Sequence, residues 1–122
     1  IGLRAIILHE QPNMGRTLIE KFEQTASTAG YAFVLLTPDD KGASINGVQL
    51  RYRARQNVIL ELGYFMGLLG RDKVCRIYRR DVELPSDMLG FVYVKYQIDV
   101  SECFNKLVQE LEAAGYHFQP SY

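Results

Sequence analysis

Apolar and polar residues alternate along the chain in blocks that predict strands and helices in turn. Short apolar runs predict strands at Arg4–Leu8, Tyr31–Thr37, Lys73–Tyr78 and Phe91–Tyr96. Apolar residues at helical spacing predict helices at Arg16–Ala29, Arg53–Leu69 and Ser101–Ala114. This alternation predicts an α/β fold with a mostly parallel sheet and helices on both faces. The nearly continuous apolar run Tyr31–Thr37 further predicts a strand that is covered on both sides.

The loops that follow the first two predicted strands are expected to line a ligand cleft. In open parallel sheets, ligands bind beyond the carboxyl ends of the strands. The loop Glu10–Arg16 (EQPNMGR) and the segment TPDDKG lie there, together with the first turns of the helices that follow them. The second of these segments begins a long polar loop, Pro38–Tyr52, and loops of that length are usually functional or mobile.

Composition excludes several function classes. A chain of 122 residues forms one domain, and its 14 basic and 14 acidic side chains cancel. Without a basic excess to neutralise phosphates, nucleic acid is not expected as the main partner. No apolar run reaches membrane-spanning length, so no membrane partner is expected. Cys75 and Cys103 have no metal-ligand spacing with each other or with the two histidines, which predicts no metal site and a reducing, cytoplasmic location.

Glu61 is the residue that the apolar pattern leaves unexplained, because it interrupts an otherwise apolar helical run. At 100° per residue it shares a helix side with Asn57 and Tyr64, with Arg53 at the edge. Two interpretations remain open from spacing alone. Glu61 is either a solvated residue paired with Arg53 or Arg55, or a carboxylate that acts on a ligand in a partly apolar cleft.

The opposite side of the same predicted helix carries Gly63 and Gly67, four residues apart. Glycines at this spacing would let another backbone approach the helix closely. Tyr64, on the Glu61 side, is either a core aromatic residue or a ring that stacks on a base.

Polar residues at the predicted cleft also have two interpretations each. Asp39 and Asp40 could orient a ribose or bind a cation, but adjacent aspartates after proline are more often turn and cap residues. Arg16 lies at a helix start, where an anion is favoured, although most such loops only cap the helix. The arginines at the start of the next helix could meet phosphates or be solvated.

Four segments together resemble a bacterial TIR-like family once described as predicted nucleotide-binding proteins. They are RARQNVILELGYFMGLLGRDKV, LLTPDD, LPSD and LHEQPNMGRTLIEKF. The family includes TIR domains fused to bacterial STING and to other cyclic-nucleotide sensors in anti-phage defence. The resemblance implies a flavodoxin-like TIR fold and hydrolysis of NAD to nicotinamide and linear or cyclic ADP-ribose. It identifies Glu61, in NVILELG, as the catalytic glutamate.

The resemblance also implies the partners. The expected substrate is NAD, and no cofactor is expected. Activation is expected to come from self-association with other TIR domains and from a sensor, fused or separate, that binds a cyclic nucleotide. The predicted NAD-binding residues are Asn57, Arg53, Tyr64, Asp39, Asp40, Arg16, Asn13 and Gly15.

This sequence departs from the family pattern at two places. Many enzymatic TIR domains carry tryptophan four residues before the glutamate, where this chain has Asn57. The family normally begins with one more strand and helix, and that strand would lie between Arg4–Leu8 and Tyr31–Thr37. Unpaired strand edges in a core are costly. We therefore expect residues 1–122 to be a single TIR-like domain that belongs to a larger chain. We also expect this domain either to be missing its N-terminal segment or to take a strand from a neighbour.

One glutamate suffices for this chemistry. Nicotinamide departs from a cationic pyridinium as a neutral molecule, so the general acid that glycosidases use is not required. A glutamate at its ordinary pKa of ~4.3 is ionised at neutral pH and can stabilise an oxocarbenium ion. Two other functions remain as alternatives: a non-enzymatic TIR scaffold that acts by homotypic assembly, and a nucleoside deoxyribosyltransferase-like enzyme.

Overall fold

The computed structural model describes Leu3, Ile6 and residues 17–85 and 93–116. The helices are α1 (Leu18–Ala26), α2 (Gln56–Leu69) and α3 (Phe104–Ala113). The strands are β1 (Ala32–Leu36), β2 (Asp40–Gly42), β3 (Arg51–Arg53), β4 (Val74–Arg79) and β5 (Tyr93–Tyr96). The predicted strand Arg4–Leu8, apart from Ile6, and the predicted loop Glu10–Arg16 lie outside the described residues.

The main sheet has the order β1-β4-β5, and all of its strands are parallel. Paired residues of parallel strands project to the same face. On one face, Val34 and Val74 belong to a cluster that includes Leu62 of α2. On the other face, Ile77 and Val94 form a cluster against which Leu107 of α3 packs. The predicted α/β fold, with a mostly parallel sheet and helices on both faces, is confirmed.

Helix α1 begins where the sequence places its cap. The Glu20 amide donates to Thr17 Oγ1 at 3.2 Å, and the Thr17 amide donates to Glu20 Oε1 at 3.3 Å, which completes a capping box. The helix ends at Ala26, three residues before the predicted end at Ala29. Beyond it, the Ser27 and Thr28 hydroxyls donate to backbone carbonyls three residues earlier, and such local bonds compete with helix continuation.

Within the predicted loop Pro38–Tyr52 the structure has an antiparallel hairpin, since β2 pairs with β3. The base of the hairpin is joined to the segment after β4, because the Glu83 amide donates to the Tyr52 carbonyl at 2.7 Å. A parallel bridge also links Tyr52 to Val82. The backbone of Arg51–Arg53 is therefore paired as a strand. The predicted helix start at Arg53 is wrong, and α2 begins at Gln56.

One prediction about packing is also wrong. Among the described residues, strand β1 is fully covered on one face only, since Val34 and Leu36 are buried while Phe33 and Leu35, on the other face, are 39% and 46% exposed. On α2, Gly63 and Gly67 are exposed, and a Cβ built at either would meet no atom of the described residues within 4 Å. Within the described residues this side of α2 is open, and the close approach of another backbone that the glycine spacing permits stays a prediction.

The last predicted helix, Ser101–Ala114, is a 3-10 turn at Val100–Cys103 followed by α3. Asp99 caps the turn by accepting from the Ser101 amide at 2.9 Å. In the described part of the chain, no helix is long and apolar enough to cross a bilayer.

Candidate active site on helix α2

The side of α2 that carries Glu61 lies at the border between core and solvent. Leu62 and Phe65 are buried against the sheet, Glu61 and Tyr64 are half-buried, and Asn57 is exposed. Asn57, Glu61 and Tyr64 are spaced four and three residues apart, so they project from one side of the helix. The three side chains therefore form one row along the outer edge of α2.

Tyr64 locates this side relative to α1. Its ring centroid lies 6.3 Å from that of Phe22 in α1 and 5.9 Å from that of Phe65 in α2. Tyr64 is also packed against the core cluster beneath α2. The core interpretation of Tyr64 is thus supported by its contacts. The Glu61 side of α2 faces toward α1.

The start of α2 carries a positive potential. Its N-cap is Arg55, whose side chain makes no capping hydrogen bond, and its first turn contains no acidic residue. The N-terminus of a helix carries about half a positive charge from the aligned peptide dipoles. Asn57, in the first turn, lies where a negatively charged ligand group would be favoured.

Asp39 lies beside this helix start. The Thr37 hydroxyl donates to Asp39 Oδ2, and the Asp39 amide donates to the Thr37 carbonyl at 2.8 Å. Arg55 Nε lies 3.6 Å from the same Asp39 oxygen. Both side chains are partly exposed, so this pair contributes only about 0–1 kcal/mol of stability. It nevertheless brings the end of β1 to the first turn of α2, as the predicted cleft requires.

Arg53 has a different place from the one predicted. It lies on β3 rather than on α2, and its Nη2 is 3.0 Å from Glu83 Oε1. Of the three polar residues predicted on this side of α2, Asn57 and Glu61 lie on the helix and Arg53 does not. Asn57 and Glu61 form the Asn57–Glu61 stripe. Asp40 is exposed in β2, where its Cα pairs with that of Arg53. Asn13, Gly15 and Arg16 lie outside the described residues, so their predicted roles stay predictions.

Sequence reasoning missed two charged residues near this region. Glu83 contacts both Arg51, at 3.2 Å, and Arg53, at 3.0 Å. Arg51 and Arg53 are two residues apart, which is the spacing of side chains on one face of a strand. Their partner Glu83 lies 30 residues after Arg53, so no local spacing in the sequence indicates the contact. Lys21 of α1 is only 5% exposed, and buried lysines are rare. Its neighbour Phe22 contacts Tyr64, so this buried charge lies in the helix that faces the Glu61 side.

Comparison with known proteins decides the family. Residues 1–98 match the model of the TIR domain of the CAP12/Pycsar effector protein. This chain belongs to that TIR family. It is a family of TIR effectors in bacterial anti-phage defence. The predicted family and flavodoxin-like fold class are thereby confirmed.

Several curated proteins are similar to this TIR domain. It is 47% identical over 118 residues to the uncharacterized protein YuaY of Escherichia coli K12, covering 97% of this chain and 39% of that protein. It is 34% identical over 118 residues to protein tirC of Dictyostelium discoideum, covering 88% of this chain and 58% of that protein. It is 31% identical over 85 residues to CD-NTase-associated protein 12 of Lachnospiraceae bacterium RUG226, covering 70% of this chain and 26% of that protein. The chain thus spans 26–58% of the length of these relatives.

Proposed function

We propose that this TIR domain hydrolyses NAD, with Glu61 as the catalytic residue. One observation supports the proposal above others. Glu61 is a half-buried carboxylate on the outer side of α2, aligned with Asn57 and Tyr64, in a domain of the CAP12/Pycsar TIR family. A carboxylate in this position is close to solvent and accessible to a ligand, while its backbone is held by the buried Leu62 and Phe65.

The reaction breaks the bond between the nicotinamide nitrogen and C1′ of the ribose. Nicotinamide leaves with the bonding electron pair and becomes neutral, and positive charge develops on the ribose. The Glu61 carboxylate accepts hydrogen bonds from ribose hydroxyls and stabilises that charge. Water then adds to C1′ and releases a proton, which gives ADP-ribose. An internal nucleophile of the same nucleotide would instead give a cyclic product.

The neighbouring residues have positioning roles in this proposal. Asn57, one turn before Glu61, can donate and accept hydrogen bonds through its amide. The positive start of α2 favours the diphosphate of NAD, and the carboxylate of Asp39 can accept a hydrogen bond from a hydroxyl. Arg53 is not part of the proposed site, because its guanidinium contacts Glu83 away from the Asn57–Glu61 stripe.

Activation by a cyclic nucleotide completes the proposal. One relative is named for its association with a CD-NTase, and the family name includes Pycsar effectors. Those names support a cyclic-nucleotide signalling context. We infer that a sensor domain, fused or separate, binds the nucleotide in the cytoplasm and drives TIR self-association.

The test follows nicotinamide release by chromatography. The natural full-length protein is incubated with NAD, alone and with a panel of cyclic nucleotides, beside the variants Glu61→Gln and Glu112→Gln. Glu112 is an exposed glutamate of α3, so its variant controls for loss of a carboxylate as such. We expect Glu61→Gln to lower turnover about 100-fold or more, and Glu112→Gln to leave it unchanged. Undiminished turnover in a folded Glu61→Gln protein would disprove the assignment.

A scaffold function is the second candidate, and the hairpin tip favours it. Ile45 and Val48, between β2 and β3, are fully exposed, and Leu50 is also exposed. Neighbouring exposed apolar side chains offer a surface that a partner could cover. For a scaffold alone, we expect assembly without nicotinamide release and no effect of Glu61→Gln on particle size in light scattering. Transfer between nucleobases, measured in the same chromatograms, would instead indicate a deoxyribosyltransferase.

A further inference from the structure

A cavity of about 510 Å³ lies at the base of the β2–β3 hairpin, beside the start of α2. Its volume is within the range of small-molecule sites. Charged, amide and apolar side chains all line it, and the main ones are Arg51, Arg53, Gln56, Ile59, Glu83 and Leu84. Gln56 is the first residue of α2, so the cavity adjoins the helix start proposed for the NAD diphosphate, while the other residues named here are not part of the site proposed for NAD.

The cavity and Glu61 are on different sides of α2. Ile59, which lines the cavity, precedes Glu61 by two positions. At 100° per residue the two side chains project about 160° apart. The buried residue Leu62 lies between these directions and packs against the sheet. A ligand in this cavity would therefore contact the same helix as NAD without occupying the same site.

The charged residues of the cavity have a net positive balance. Arg51 Nε lies 3.2 Å from one Glu83 oxygen, and Arg53 Nη2 lies 3.0 Å from the other. One carboxylate is thus shared by two guanidinium groups. A guanidinium has five N–H donors, and the contacts with Glu83 involve one nitrogen of each group. Two cations with one shared anion favour the addition of a second anion.

The remaining lining residues set the kind of anion. Ile59 and Leu84 form an apolar wall, while Gln56 supplies an amide next to the arginines. A small inorganic anion would leave most of the volume and the apolar wall without contacts. A molecule with an anionic end and an apolar or aromatic body would use both.

We propose that this cavity is a second ligand site, which binds a small organic phosphate. The phosphate lies between Arg51 and Arg53 and replaces part of their contact with Glu83, and the organic body packs against Ile59 and Leu84. Guanidinium groups bind phosphate oxygens in a bidentate way, and a phosphate dianion balances two arginines better than a carboxylate does. Glu83 then acts as an internal competitor, which holds the arginines in place when the site is empty.

The experiment measures binding of phenyl phosphate to the natural full-length protein by titration calorimetry, with inorganic phosphate and phenol as separate probes. We expect phenyl phosphate to bind more tightly than either fragment. Arg51→Gln and Arg53→Gln should each weaken binding about 10-fold or more, because each removes charge-assisted hydrogen bonds. Arg71→Gln is the matched control, since Arg71 is an exposed arginine outside the cavity.

Glu83→Gln provides the decisive variant. If Glu83 only holds the hairpin, its loss lowers stability and leaves phosphate binding unchanged or weaker. If it competes with the ligand, its loss tightens binding of phenyl phosphate. Unchanged or weaker binding by Glu83→Gln, or equal affinity of the Arg51→Gln, Arg53→Gln and Arg71→Gln variants, would overturn the proposal. Equal binding of inorganic and phenyl phosphate would also overturn it, because the apolar wall would then have no role. Glu83→Gln and Arg51→Gln keep the test valid if Arg53→Gln does not fold.

Discussion

Leu62→Ala tests whether the assigned sides of α2 are correct. Leu62 is only 1% exposed and packs in the cluster beneath the helix. The substitution removes three carbon atoms, worth about 2.4 kcal/mol at ~0.8 kcal/mol each. The cavity left behind adds to this loss, so we expect a total of about 3–4 kcal/mol. A domain of this size has a free energy of unfolding of roughly 5–15 kcal/mol, so the loss is a large fraction of its stability.

Leu60→Ala is the matched control, since it makes the same chemical change on the same helix. Leu60 is 52% exposed, and we expect its substitution to cost less than about 1 kcal/mol. Urea denaturation followed by circular dichroism measures both variants, with unchanged slopes as evidence of the same unfolding transition. Equal losses in the two variants, at several protein concentrations, would refute the assigned orientation of α2 and with it the half-buried position of the Glu61 side.

Two further predictions concern stability. Thr17→Ala removes the capping box of α1 and should lower the free energy of unfolding by about 1 kcal/mol, measured by urea denaturation. Thr28→Ala, beyond the end of the helix, is the control and should lower it by less. A larger loss in Thr28→Ala than in Thr17→Ala would contradict the role of the cap. Burial raises the pKa of Cys75 to about 12, above the value of about 8.5 expected in the unfolded chain. The folded state therefore keeps the thiol proton where the unfolded state loses it, so stability should fall as pH rises from about 9 toward 12. Denaturation of the wild-type protein and of Cys75→Ala between pH 8 and 10.5 checks this, and an equally steep fall in the variant would rule it out.

Local signals in the sequence predicted much of the fold. The cap of α1 was readable because Thr17 and Glu20 contact each other within one turn. The order of strands and helices followed from blocks of apolar residues, and the side of α2 that carries Glu61 followed from helical periodicity. In each case the deciding residues are close together in the chain.

Long-range pairing was not predictable in the same way. Strand β3 has three residues, two of them arginine, and its backbone partners lie in β2 and around Val82. Apolar periodicity carries no signal for so short and polar a strand, so Arg53 was assigned to the helix. The candidate site shows the same difference. Helical periodicity predicts that Asn57 and Glu61 lie on one side of α2, but the contact of Tyr64 with α1 depends on packing between two helices that the sequence pattern does not indicate.

The hairpin base and the hairpin tip differ in how firmly they are attached. The base is joined to the segment after β4 by Glu83, while Ile45 and Val48 at the tip are fully exposed. Lengthening a flexible loop is entropically mild, at roughly 0.6 kcal/mol for each doubling. The turn between Ala43 and Leu50 is therefore a place where additional residues can be inserted. A peptide tag inserted there would leave the sheet and the Glu61 side of α2 intact, and would allow the domain to be labelled or immobilised through an exposed turn.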